Sequence, residues 1–138
     1  MQMQKIVLCL VMAGMLAGLM PAAAPTSAYA ATLSTTTTVS FEPEQSRYPR
    51  GQWITLKAVI RDQHGSRVLP PGRVTFKKRS TLGIVTLSTV TINDNGIARM
   101  SFQVPTNPND DWVYIEAHYV DPLGFFGRSS GQKRIPIG

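Results

Sequence analysis

From Trp53 to Arg61 the chain places Ile54, Leu56, Ala58 and Ile60 at every second position, with Thr55, Lys57 and Arg61 between them. Side chains of an extended strand alternate faces with period two, so this spacing gives a strand one apolar face and gives a helix none. The pattern recurs downstream. Ala98, Met100, Phe102 and Val104 alternate with Arg99, Ser101 and Gln103, and Val113, Ile115, Ala117 and Tyr119 alternate with Trp112, Tyr114, Glu116 and His118. A chain built this way has to stack sheets, because each strand has one face to hide and one to leave wet.

Between these runs the turn chemistry is dense. Pro43, Pro49 and Gly51 interrupt the stretch before Trp53, and Gly65, Pro70, Pro71 and Gly72 interrupt the stretch after Arg61. Asn93-Asp94-Asn95-Gly96 supplies residues that tolerate positive φ, and Pro105 ends the strand that follows. Gly72 to Leu87 reads as a hairpin in which Val74 and Phe76 point inward. Its basic Lys78-Arg79-Ser80-Thr81 segment is expected to form the turn. With a threonine-rich edge strand over Thr36–Phe41 and a last strand over about Gln132–Ile137, the count reaches about seven strands, as in an antiparallel sandwich. The expected fold class is therefore all-β, an immunoglobulin-like two-sheet antiparallel β-sandwich. Leu56, Ala58, Val74, Phe76, Met100, Phe102, Ile115 and Ala117 are its expected core.

The first residues do not belong to that pattern. Ile6 to Met20 is almost unbroken apolar sequence after Lys5, Pro21 follows, and Ala28-Tyr29-Ala30 gives a small-x-small site. These are the three regions of a secretory signal peptide. The apolar run, about 15 residues, falls short of the roughly 20 that a spanning helix needs. Two units are expected: residues 1–30 as signal peptide and 31–138 as one domain, secreted to the periplasm, cell surface or medium. Cys9, the one cysteine, lies in the leader. The exported part is thus expected to hold neither disulfides nor thiolate metal sites.

The residues also resemble a known family. Thr35-Thr36-Thr37-Thr38-Val39-Ser40 and Gly51-Gln52-x-Ile54-Thr55-Leu56 are similar to the opening of bacterial Ig-like domain repeats. Gly72-x-Val74-Thr75-Phe76 with Leu82-Gly83-x-Val85-Thr86-Leu87 resembles their middle, and Gly96-x-Ala98-x-Met100, Ala117-x-Tyr119 and Phe125-x-Gly127-x-Ser129 continue the likeness. The resemblance implies extracellular or periplasmic modules used as stalks, spacers and adhesive domains. It brings no catalytic residue, and a single module departs from the tandem arrangement usual in that family.

Function is less legible than fold. His64 near Asp62, and His118 beside Glu116, have no spacing that joins them into an acid–base pair or metal site. No Gly-x-Ser-x-Gly elbow occurs. The chain is therefore expected not to be an enzyme, and no cofactor or metal is expected. Asp94, Asn95, Asp110, Asp111 and Asp121 fall in loops, where calcium takes oxygen ligands, yet Asx residues there also serve turns. The formal net charge of +6 favours anionic partners. Lys77, Lys78 and Arg79 form a basic cluster that either meets a polyanion or protects a strand edge. Trp53, Trp112 and Tyr114, on outward positions, are the candidates for stacking on a sugar or anchoring an interface. Of Phe125 and Phe126, one is expected to plug the core and the other to be exposed. The expected role is structural or adhesive at a bacterial envelope, with an envelope or surface protein as partner. Carbohydrate or polyanion binding through these six residues is the alternative. Nucleic acid is not an expected partner, and membrane contact is expected only through the leader.

Overall fold

The computed structural model describes residues 32–138, and the leader assignment lies outside them. Seven strands follow in chain order: β1 (Thr35–Glu42), β2 (Trp53–Asp62), β3 (Arg73–Ser80), β4 (Gly83–Thr91), β5 (Ile97–Gln103), β6 (Val113–Val120) and β7 (Ser129–Ile135). They form two antiparallel sheets, one ordered β1-β2-β5 and the other β4-β3-β6-β7. The protein is an immunoglobulin-like β-sandwich. No helix among the described residues is long and apolar enough to cross a membrane.

The period-two pattern sets the layers. Leu56, Ala58, Val74, Phe76, Ile115 and Ala117 are fully buried between the sheets, and Phe102 nearly so. Met100 is only half-buried and packs against the rim of that core. Among the described residues the buried apolar side chains run from Val39 to Ile135, so this unit carries its own core. The Asn93–Gly96 turn forms as its residues dictate. Gly96 sits at φ 74°, and the Asn93 side-chain oxygen accepts the Asn95 and Ile97 N–H groups at 2.8 and 3.1 Å.

The limits of two strands, β3 and β7, differ from expectation. Lys78-Arg79-Ser80-Thr81 is not a turn: β3 runs on to Ser80, and the reversal falls at Thr81-Leu82. The strand is held by pairing on both sides, to β4 up to Gly83 and to β6 up to Val113. Those partners outweigh the local turn preference of the basic segment. Likewise β7 begins at Ser129 rather than Gln132 and ends at Ile135. Its polar residues show no apolar alternation because β7 is a sheet edge whose only fully buried side chain is Ile135. Beside it the two sheets close on each other. Thr35 Oγ1 and Thr37 Oγ1 each lie 2.7 Å from Ser129 Oγ, and Gly131 packs directly against the Thr37 carbonyl.

Candidate functional site

The outer face of the β4-β3-β6-β7 sheet gathers most of the chemistry in the described residues, and register is the reason. Pairing of β3 with β6 sets Thr75 opposite His118, Lys77 opposite Glu116 and Arg79 opposite Tyr114. Pairing of β6 with β7 then sets Tyr114 opposite Arg134, Glu116 opposite Gln132 and His118 opposite Ser130. Residues from three strands thus share one surface.

On that surface Arg79 is the hub. Its Nε donates to Glu116 Oε2 at 2.7 Å and its Nη2 to Gln132 Oε1 at 2.8 Å. The guanidinium also lies 5.1 Å from the centre of the Tyr114 ring, within reach of the ring's quadrupole. Tyr114 meets Trp112 edge to face, with ring centres 5.9 Å apart. His118 Nε2 lies 3.0 Å from the other Glu116 oxygen. The Arg79 hydrogen bond, and then that of His118, hold the Glu116 carboxyl below the usual carboxylate range. Glu116 is therefore a fixed acceptor at neutral pH, unsuited to donating a proton. A shallow cleft of about 210 Å³ opens beside it, lined by Glu116, His118, Ser130, Gly131 and Gln132. Polar groups of both kinds face this cleft.

The six residues singled out from the sequence divide. Arg79, Trp112 and Tyr114 come together, and Lys77 shares their face. Lys78 does not. It occupies an inward register position opposite Ile115, and its amine reaches Asp110 at 3.0 Å. Trp53, 65% exposed, stands at the start of β2 on the other sheet. The basic cluster is thus not a hairpin tip, and two of its three charges are matched by Asp110 and Glu116. Gln132 and Arg134 were invisible as site residues because β7 has no alternation to announce it.

The loop carboxylates serve the loops. Asp121 accepts backbone N–H groups from Leu123, Phe125 and Phe126, and Asp110 is taken by Lys78. Among the described residues no group of three or more His, Cys, Asp or Glu is placed to hold a metal ion.

A second surface has no local signature. β4 is an edge strand whose residues are mostly exposed, Ile84 by 63% and Val85 by 50%, and Leu82 in the preceding turn is 59% exposed. Of the seven strands it alone carries no charged side chain.

The fold defines the class: an all-β immunoglobulin-like sandwich, here with one polar and one apolar exposed surface. No family model matches the sequence, and no curated protein matches it. Solved structures do. A superoxide reductase (neelaredoxin) from Ignicoccus hospitalis is similar with a TM-score of 0.54 at 7% identity, over 83% of this chain and 100% of that one. A variant of that reductase is similar with a TM-score of 0.54 at 9% identity, over 82% of this chain and 87% of that one. The expectation that the chain is not an enzyme is corrected by this likeness: its architecture is shared with enzymes. The expectation rested on missing sequence motifs, whereas function on a sandwich is carried by a few side chains that register and loops bring together. At these identities the likeness is one of fold and assigns no residue a role.

Proposed function

We propose that this chain is an exported Ig-like interaction module of the bacterial envelope that takes up an extended segment of a partner protein along β4. The observation that carries the proposal is the open, uncharged Gly83–Thr91 edge. An edge strand offers a row of free N–H and C=O groups to another strand, and natural proteins usually guard it with lysine, proline or a bulge. Here there is neither lysine nor proline, and the one guard present is a bulge. A register shift opposite Phe76/Lys77 sets Leu87 outside the pairing and divides the edge into two short ladders. The leader-like start and the resemblance to bacterial Ig-like repeats support export and an adhesive or structural setting.

The test is binding of the domain to an array of envelope proteins and glycans at low and high salt. Binding to a protein that persists in salt and is lost in Val85→Lys and Thr89→Pro supports the proposal. Retention on anionic glycans that salt abolishes, and that Lys77→Ala weakens, replaces it with polyanion binding on the outer sheet face.

A further inference from the structure

We infer that the end of the sandwich formed by the β2–β3 and β6–β7 loops is a lipid-facing surface that seats on an anionic bilayer. Leu69, Pro70 and Pro71 from the first loop, with Leu123, Phe125 and Phe126 from the second, line one shallow apolar cleft of about 330 Å³. Leu69 is 53% exposed, Leu123 60% and Phe125 67%. Three large side chains left in water at one place need a reason, since scattered single residues are the ordinary case.

The loop is organised so that they stay there. Asp121 Oδ1 accepts the Leu123 N–H at 3.0 Å, and Oδ2 accepts those of Phe125 and Phe126 at 2.9 and 3.1 Å. Phe126 packs against the core while Phe125 does not. The cost of ordering the loop is thus met before any ligand arrives.

Charge selects the occupant. Arg67, Arg73 and Arg128 each stand two residues from this apolar cluster and are exposed. Among the described residues none of the three is in an ion pair. The nearest carboxylate in sequence, Asp121, is buried and already occupied by the loop. An apolar tip flanked in sequence by three arginines matches acyl chains under anionic headgroups, where basic side chains and buried apolar area add. The chain also enters the domain at this loop: the Leu33 N–H donates to the Phe125 carbonyl at 3.2 Å, and the Leu33 carbonyl accepts from the Gly127 N–H at 2.8 Å. This surface shares no residue with the Gly83–Thr91 edge, and the inference stands whether or not that edge binds a partner.

The experiment uses residues 31–138, which contain the whole core described above. Sedimentation with phosphatidylcholine vesicles, with and without phosphatidylglycerol, is measured at low and high salt. Binding is expected on the phosphatidylglycerol vesicles, weakened by salt, and reduced about tenfold by Leu123→Ser/Phe125→Ser. Because both of these side chains are already in water, the double variant should keep the parent melting temperature. A Phe125→Trp variant should gain fluorescence that brominated lipid quenches beyond the Trp53 and Trp112 background. Absence of vesicle binding, binding that the double variant leaves intact, or emission from the introduced indole that lipid does not alter overturns the inference. The last two results would assign the loops to a protein partner or to nothing.

Discussion

Lys78 Nζ lies 3.0 Å from Asp110 Oδ2, and Asp110 is 1% exposed. The lysine stands in β3 between Arg79 and Lys77, on the inward side opposite Ile115, and carries its charge out of the core to the β5–β6 loop. Arg50 braces the same loop, its Nη1 donating to the carbonyls of Asn107 at 2.9 Å and Asp110 at 3.3 Å. A buried charge is tolerable only when its partner is in place. The pair therefore ties the end of the β3–β4 hairpin to the loop that feeds β6.

Removing one member should cost far more than removing both. Lys78→Met leaves the Asp110 carboxylate buried without its ion-pair partner and is expected to lower unfolding stability by about 3 kcal/mol. Lys78→Met/Asp110→Leu removes the stranded charge and should recover most of that loss. Urea unfolding of the two variants and the parent measures both. A double variant no more stable than Lys78→Met would show that the pair's value is more than mutual neutralisation.

Acid should find the same pair. Burial of Asp110 by itself raises its carboxyl pKa, but the Ser80 hydroxyl, the Lys78 ammonium and the Arg50 guanidinium outweigh it and hold the group below its ordinary value. Glu116 is lowered too, by Arg79 first and His118 second. Groups depressed in the folded state bind fewer protons folded than unfolded. Their stabilisation is present above the unfolded pKa values and is lost as pH falls through the folded ones. Stability should thus decline steadily below about pH 4, starting from the unfolded carboxylate range. Asp110→Asn is expected to be less stable at pH 7 yet to show a flatter acid limb in a series of melts.

The fold was legible because its strands announce themselves singly. Ile54 to Ile60 and Val113 to Tyr119 alternate without interruption, and each apolar member is buried. The site was legible only in part, since it depends on register between strands. Period two continued from Val74 and Phe76 places Lys78 inward toward Asp110 and Arg79 outward toward Glu116, but a turn expected at Lys78 cut that alternation short. The composition Lys-Lys-Arg-Ser-Thr suggested a turn, and pairing on both sides made it strand instead. Gln132 and the apolar cluster of Leu69 with Leu123 needed contacts between distant segments, to which periodicity is blind.

Gly131 is the tightest point of the sandwich's closed side. A Cβ there would fall directly against the Thr37 carbonyl oxygen, between β7 and β1. Neither atom is the end of a flexible side chain, so the strands themselves have to part. Gly131→Ala is expected to cost about 1–3 kcal/mol, the usual range for an overpacked contact. It should also weaken the hydrogen bonds joining Ser129 to Thr35 and Thr37. Thermal unfolding gives the first effect, and faster amide exchange in β1 than in β2 gives the second.

Tyr119 makes the opposite case, a polar atom whose removal should help. The residue is 1% exposed and its hydroxyl has no hydrogen-bond partner. Burial, and then the nearby Asp121 carboxylate, push its phenol up to about 12. An unpaired buried donor costs stability that a phenylalanine of the same shape does not, so Tyr119→Phe should stabilise the protein by about 1 kcal/mol. The alkaline limb should change as well. With the folded pKa raised from the ordinary 10.0 to about 12, the folded state holds its proton longer than the unfolded one. That contribution is full below pH 10 and is lost as pH rises toward the folded value. Tyr119→Phe removes the loss, so the variant's advantage over the parent should widen between pH 10 and pH 12. Denaturant midpoints across that range decide the matter. An advantage that stays constant with pH would mean that the phenol finds a partner or water in solution.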